Sequence, residues 1–181
     1  MYSLFYRYLQ KIILKNSFYD DILKIIHNEN IKHIVEIGCA DSIILKNLDE
    51  KYFYNGFDVE DNFIQKSKLK FSNNKKYKFE TKSIHEIILD DYDEKETIIL
   101  LVGVFHHVND DYIKIFLKRS ERFKVYAIDA VRLKDQKFFT KLLMNYDKGK
   151  YVRFEDQYKR LLPGYDFILA RNKYLNFKYD H

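Results

Sequence analysis

The chain has 181 residues, 46% of them hydrophobic and 33% charged, which suits a single domain over residues 1–181 and leaves no room for a second catalytic domain. Its 32 basic and 27 acidic residues give a net charge of +5, but the two signs are interleaved along the chain, so we expect a solvated lysine-rich surface, with a nucleic-acid partner as the less favoured alternative. No apolar run approaches the ~20 residues that span a bilayer, the N-terminus lacks a signal-peptide core, and the single Cys39 cannot form an internal disulfide, which together predict a cytoplasmic protein.

Helical spacing of apolar residues comes first along the chain. Two helices are predicted within residues 1–29, one carrying Phe5, Tyr8, Leu9, Ile12 and Ile13 on one face and the next carrying Phe18, Ile22, Ile25 and Ile26. Short apolar runs then predict strands at residues 33–37, 52–59, 77–81, 97–102 and 124–129. Helical patterns alternate with them at residues 42–49, 61–69, 110–121 and 134–146.

This alternation of strands and helices indicates an α/β fold, because parallel neighbouring strands need long crossover connections. Residues 97–102 are apolar throughout, as expected of a central strand covered on both faces. Pro163 and Gly164 should end a helix over residues 154–162, and "YDFILA" (165–170) is predicted to be a sixth strand. We therefore expect a parallel, doubly wound sheet in residues 30–181.

The corner in "HIVEIGCADSIIL" (33–45) joins the first strand to the next helical pattern. It has one glycine, Gly38, where a dinucleotide fingerprint needs three at a fixed spacing to seat a pyrophosphate. Glu36 stands just before the turn and would repel phosphate. The corner therefore favours a ligand that has no phosphate and carries a positive charge, with an ordinary strand-to-helix corner as the alternative.

Asp58 ends the second predicted strand, twenty residues after Gly38. An acidic residue at this place can accept hydrogen bonds from both hydroxyls of a ribose. The alternative is an acid that stabilises the N-terminus of the following helix, a role for which Glu60 and Asp61 compete. Together with the corner, Asp58 favours an adenosine ligand.

Three motifs at this point resemble a known family. "EIGCADS", "GFDV" and "LLVGVFHHVNDD" are similar to motifs I, II and IV of class I S-adenosylmethionine-dependent methyltransferases of the small-molecule type. The segments "AIDAVRLKDQ" and "DKGKYVRFEDQYKRLL" are similar to the region after the fifth strand in bacterial members, so the resemblance extends from about residue 30 to 175. It implies a Rossmann-like sheet, S-adenosylmethionine as cofactor and a small-molecule methyl acceptor. The family's antiparallel seventh strand is expected to be missing or truncated here.

The resemblance also implies a cofactor site. Glu36, Gly38 and Ala40 would surround the methionine part, Asp58 would hold the ribose, and Val59 would pack near the adenine. Ala40 and Ser42 stand where the family has glycines, and Ser83 stands where it usually has an acid. The residues predicted to form the site are Glu36, Gly38, Cys39, Ala40, Asp58, Val59, Ser83, Ile84, Val102 and Gly103.

Two histidines and an aspartate follow the fourth and fifth predicted strands. His106 and His107 leave the fourth strand, and Asp129 ends the fifth, so a histidine and a carboxylate can meet as a general base and its orienting partner. We slightly prefer His107 as the base, and a purely structural role for these residues stays open. Adjacent histidines at a strand end should point apart, so no metal shared with Asp110 and Asp111 is expected.

The predicted activity is transfer of a methyl group from S-adenosylmethionine to an oxygen, or less readily a nitrogen, of a small molecule. One alternative is a methyltransferase-fold binding protein that acts through a partner. Another is a nicotinamide-dependent oxidoreductase, which the missing glycine fingerprint disfavours. Residues 145–162 are predicted to form either a lid, with Tyr151 or Arg153 touching the substrate, or a plain surface segment. The oligomeric state and the acceptor stay open.

Overall fold

The computed structural model describes residues 17–28, 30–132 and 149–166. Within them the α-helices are α1 (Ser17–Asn28), α2 (Asp61–Lys70), α3 (Asp110–Arg119) and α4 (Glu155–Leu161). The strands are β1 (His33–Ile37), β2 (Phe53–Asp58), β3 (Tyr77–Thr81), β4 (Thr97–Val102), β5 (Lys124–Ile128), β6 (Val131–Arg132) and β7 (Arg153–Phe154). The first five strands lie within a residue or so of their predicted ranges.

The main sheet has the strand order β3-β2-β1-β4-β5, and every neighbouring pair in it is parallel. The chain runs outward from β1 through β2 to β3, then returns to β4 on the other side of β1. The order therefore reverses between β1 and β4, and ligands of open α/β sheets bind beyond the carboxyl ends of the strands at such a point. The predicted parallel, doubly wound sheet is confirmed.

The core has one layer on each face of the sheet, as the apolar run of β4 predicts. Alternate residues of this strand point to opposite faces, so Ile98 and Leu100 enter one layer while Ile99 and Leu101 enter the other. Helices α1 and α2 close the first layer, and α3 and α4 close the second. Each aliphatic side chain buried in this way contributes about 1.5–3 kcal/mol. This packing fixes the strand ends on which the functional residues lie.

The prediction of a helix over residues 42–49 is wrong. Only a short 3-10 helix, Ile43–Lys46, forms there, held by hydrogen bonds from Leu45 N to Ser42 O (3.2 Å) and from Asn47 N to Ile44 O (3.2 Å). Two β-branched residues in succession and Asn47 disfavour an α-helix. The apolar spacing that predicted a helix instead places Ile44 and Leu45 in the core.

Several predictions fall outside the described residues: the first N-terminal helix, the helix over 134–146, and most of the strand over 165–170. Residues 165 and 166 are described and are not in a strand. The sequence did not indicate the short parallel pair of β6 and β7, in which Val131 aligns with Arg153. In the described part of the chain, no helix has both the length and the apolar character needed to span a membrane.

Candidate cofactor and acceptor site

The corner after β1 has an unusual backbone. Gly38, Ala40 and Ser42 all have positive φ, at 73°, 42° and 50°. Glycine adopts this region freely, whereas the left-handed conformation costs other residues roughly 1–2 kcal/mol each. The backbone is thus left-handed at three alternate residues, and two of them, Ala40 and Ser42, are not glycine. Ser42 stands at the N-cap position of the short 3-10 helix, but its hydroxyl meets Ser67 Oγ (3.3 Å) instead of capping the backbone.

Neighbouring strands hold the corner closely. The amides of Gly38 and Cys39 both donate to Phe57 O of β2, at 2.7 and 3.0 Å. On the β4 side, a Cβ atom added to Gly38 would lie 2.6 Å from Val104 Cγ2, so no larger residue fits without a shift of Val104. The Val104 side chain therefore covers Gly38, a contact that sequence reasoning missed.

The Asp58 carboxylate ties the corner to the end of β2. Its Oδ2 accepts from Ala40 N and its Oδ1 from Glu60 N, both at 2.9 Å, and the residue is 8% exposed. It is not the N-terminal acid of α2, which begins at Asp61; Asp61 accepts from Thr81 Oγ1 at 2.7 Å. A carboxylate has about four acceptor sites, so the two backbone contacts leave capacity for a ligand's hydroxyls.

Glu36 is buried in β1 below the corner, with 2% exposure. Burial raises its pKa to about 7; the Tyr54 hydroxyl, which donates to Glu36 Oε2, opposes this rise, and the charge of Asp58 adds to it. Gly56 is the register partner of Glu36, and its lack of a side chain leaves room for the Tyr54 ring. A Cβ atom on Gly56 would lie only 2.9 Å from Tyr54 Cε1. Sequence reasoning missed Tyr54, although its register two residues before Gly56 places it on the Glu36 face.

On the predicted adenine side, the Val59 side chain is 66% exposed at the end of β2 and offers an apolar surface. Ser83 N and Ser83 Oγ donate to Glu86 Oε2 at 2.8 and 2.5 Å. These bonds lower the pKa of Glu86 and hold its carboxylate beside Ser83. Ile84 is buried in the core, at 7% exposure.

The remaining predicted cofactor residues lie at the ends of β1 and β4. Val102 and Gly103 are half-buried, and Gly103 donates from its amide to Ile128 O at 2.7 Å. Cys39 is buried, and burial raises the pKa of its thiol, with Glu36 adding to the rise. The protonated thiol is the weakly nucleophilic form of cysteine.

The structure joins His106 to Asp129. His106 Nδ1 lies 2.5 Å from Asp129 Oδ1, and His106 N donates to Asp129 Oδ2 at 3.2 Å. Both side chains are almost fully buried, at 5% and 7% exposure, whereas His107 is exposed. The carboxylate also accepts from Ala130 N at 2.7 Å. The expected meeting of a histidine and a carboxylate at adjacent strand ends is present, with His106 as the partner.

The two histidines do not point apart as expected. Their ring centroids are 4.0 Å apart, because residues 105–107 form a 3-10 turn in which the strand alternation has already ended. No group of three histidine, cysteine or carboxylate side chains in the described ranges is arranged to hold a metal ion.

Residues 149–153 cover His106. A Cβ atom on Gly149 would overlap the imidazole ring, and Tyr151 N donates to His106 O at 2.9 Å. Arg153, one of the two substrate contacts considered under the lid alternative, is 5% exposed and makes its hydrogen bonds within the protein. Its guanidinium donates to Phe105 O and Val108 O, each at 2.7 Å, and to Tyr151 O at 2.9 Å and Asp110 Oδ1 at 2.6 Å. Arg153 therefore holds the covering segment against the turn that carries His106.

Solved structures share this architecture. The YcgJ protein from Bacillus subtilis aligns with a TM-score of 0.62 and 12% identity over 81% of this chain. The plantazolicin methyltransferase BpumL, solved with a desmethylPZN analogue and SAH, aligns with a TM-score of 0.65 and 16% identity over 89% of this chain. WbdD, a bifunctional kinase-methyltransferase, aligns at 0.55 and 19% identity over 87% of this chain, which spans 35% of WbdD.

The chain spans 66% of YcgJ and 66% of BpumL, slightly less than two thirds of either protein. No protein-family model matches the sequence, and no curated protein matches it. At such low identities the likeness concerns the fold. The strand order, the corner after β1 and these neighbours together show that the chain has the fold of class I S-adenosylmethionine-dependent methyltransferases.

Proposed function

We propose that the protein is an S-adenosylmethionine-dependent methyltransferase that acts on a small molecule, with an oxygen as the methyl acceptor. The observation that carries this proposal is the position of the Asp58 carboxylate, which accepts a hydrogen bond from Ala40 N where the strand order reverses. Glu36 is buried beneath the same corner. Two carboxylates and no phosphate cradle suit a ligand with a cationic sulfonium and ammonium group. The solved BpumL complex with SAH supports the choice of cofactor.

Each part of the cofactor has a suitable residue in this chain. The backbone of Gly38 and Ala40 would approach the methionine part, and Asp58 would accept from the ribose hydroxyls. Val59 offers the apolar face for an adenine, and Glu86 would accept from its amino group. S-adenosylmethionine supplies a methyl group that its sulfonium already activates. The protein's task is then to hold the acceptor in line with that methyl group and to exclude water.

His106 and Asp129 would complete the acceptor side when residues 149–153, which bury the imidazole in this structure, move aside for the acceptor. A hydroxyl acceptor must lose a proton as it attacks, and a neutral imidazole can take that proton. Asp129, bonded to Nδ1, would fix the ring so that Nε2 is the basic nitrogen. Arg153 acts as a positioning residue, because it holds the turn from Phe105 to Val108 on which His106 lies.

A second candidate is a methyltransferase-fold binding protein without catalysis. Two observations favour it: the Val104 side chain covers Gly38, and the Asp58 carboxylate already accepts from two amides of its own chain. The two proposals differ in whether the folded protein binds the cofactor at all.

Isothermal titration calorimetry with S-adenosylmethionine tests the cofactor half of the proposal. We expect a micromolar dissociation constant for the wild type and at least a tenfold loss in Asp58→Ala, about 1.4 kcal/mol. Asp61→Ala is the matched control, because Asp61 is a nearby exposed acid that holds Thr81 instead of the corner. Binding absent from the folded wild type would refute the methyltransferase and favour the binding protein. Equal losses in both variants would reject Asp58 as the ribose ligand.

Variants of the histidine pair test the acceptor half once a hydroxyl acceptor has been found by screening. We expect His106→Gln and Asp129→Asn to lower the rate of methyl transfer by about 10²–10⁴-fold, the usual contribution of a general base. His107→Gln should stay within about twofold of the wild type, since the His107 ring is exposed and it is the His106 ring that meets Asp129 Oδ1. A larger loss in His107→Gln than in His106→Gln would reverse the assignment.

A further inference from the structure

The positive charge of the chain is concentrated in one short stretch. Residues 64–82 contain seven lysines and a single acid, Glu80, whereas the whole chain has a net charge of only +5. The remainder is therefore close to neutral. This stretch forms most of α2, the following turn and β3, which is an edge strand of the main sheet.

The same stretch forms a groove of about 410 Å³ between the end of α2 and β3. Three aromatic rings, Phe71, Tyr77 and Phe79, pack together in it: the Phe71 and Phe79 rings are stacked with centroids 5.9 Å apart, and Tyr77 meets Phe71 edge-on at 5.9 Å. Phe71 and Tyr77 are half-buried and line the groove, and the Lys70 ammonium lies over the Phe71 ring, 4.4 Å from its centroid. The other lining residues are Lys68, Ser72, Asn74, Lys75, Lys78 and Glu80.

The acid in the groove does not neutralise its lysines. Glu80 pairs with Lys82, at 2.7 Å, and Lys76 donates to two backbone carbonyls beside it. The exposed Lys68, Lys75 and Lys78 take part in none of these contacts. Three lysines and one acid line the groove, and that acid is paired with Lys82, so the groove keeps an excess of positive charge. An anion would balance this excess.

We propose that this groove, which we call the β3 groove, binds single-stranded nucleic acid. Aromatic rings beside lysines are the combination that such sites use, since bases stack on the rings while cations follow the phosphates. An acidic peptide would satisfy the lysines but would leave the half-buried rings without a planar partner. The groove lies on β3, at the opposite sheet edge from β5 and Asp129, so this binding is separate from the proposed methyl transfer.

Fluorescence anisotropy with labelled twelve-nucleotide oligouridylate and oligothymidylate tests the proposal on the full chain. We expect micromolar binding in 50 mM salt that weakens steeply by 200 mM, because displaced counterions make such binding salt-dependent. The triple variant Lys68→Glu/Lys75→Glu/Lys78→Glu should lose at least tenfold in affinity. The control Lys95→Glu/Lys114→Glu/Lys118→Glu makes the same charge change at exposed lysines outside the groove and should lose less than threefold.

A second probe isolates the aromatic part. An abasic oligomer of equal length keeps the phosphates but has no bases, and we expect it to bind at least tenfold more weakly than oligothymidylate. Equal binding of the abasic oligomer, equal losses in the two triple variants, or no binding by the wild type in 50 mM salt would each overturn the proposal. None of these results depends on S-adenosylmethionine.

Discussion

Ala40 adopts a backbone conformation that glycine adopts at little cost, with φ at 42°. Replacing it by glycine should relieve the steric strain, partly offset by the greater freedom of the unfolded chain. We expect Ala40→Gly to raise the free energy of unfolding by about 0.5–1 kcal/mol, measured by urea denaturation. Ala127→Gly, at an exposed position of β5 with ordinary φ, should instead lower it by about 0.5–1 kcal/mol. A lower free energy of unfolding in Ala40→Gly would contradict the claim that the Ala40 backbone is strained.

Glu36 should make stability depend on pH. Its folded-state pKa, raised to about 7 by burial, exceeds the ordinary value of 4.5, so the folded state binds the proton more tightly than the unfolded state does. The stabilisation that protonated Glu36 contributes to the folded state is fully present below pH 4.5 and is lost as pH rises through 7. Relative to Glu36→Gln, the wild type should therefore lose roughly 2–3 kcal/mol of unfolding free energy between pH 5 and 8. If the unfolding free energies of the wild type and Glu36→Gln change with pH by the same amount, the raised pKa of Glu36 is refuted.

Residue identity alone predicted the corner and Asp58 as a site, but not the contacts that define them. The sequence shows that Glu36 precedes the turn; it cannot show that Tyr54 reaches this carboxylate, because that contact depends on the parallel register of β1 and β2 and on the space above Gly56. Similarly, the choice between His106 and His107 depends on the turn geometry after β4.

At the scale of elements, Arg153 holds the covering segment to the turn before α3. Removing its guanidinium leaves the carbonyls of Phe105 and Val108 without these donors in a buried place. We expect Arg153→Ala to lower the free energy of unfolding by about 3 kcal/mol. Arg160→Ala is the control: Arg160 is 70% exposed and pairs with Asp156 on the surface, so its loss should cost less than about 1 kcal/mol. Similar losses in the two variants would contradict the proposed role of Arg153.

Hydrophobic periodicity predicted long elements better than short ones. The helix α3 and the strands β1 and β4 have continuous patterns and bury the faces those patterns indicate. The pattern over 42–49 satisfies the same spacing, yet only four residues form a 3-10 helix. The pair β6–β7 has two residues per strand, too few for any periodicity to indicate it.

For the molecule as a whole, fold class was the level at which the sequence was most informative. The alternation of strands and helices predicted the parallel sheet. In that sheet the corner, Asp58 and the histidine turn all lie at the carboxyl ends of the strands. Charge was predicted less well: the interleaved signs suggested an even surface, but residues 64–82 hold seven lysines and one acid, and three of these lysines, Lys68, Lys75 and Lys78, line the β3 groove. Linear spacing does not show which lysines share a face.

The most direct test of the central claim, that the corner after β1 holds S-adenosylmethionine, is a titration of the 15N-labelled protein followed by two-dimensional amide NMR. We predict that the amide signals of Gly38, Ala40, Val59 and Gly103 shift on addition of the cofactor, while those of Lys75 and Tyr77 in the β3 groove stay in place. A spectrum of the folded protein that does not change, or shifts confined to the β3 groove, would contradict the account.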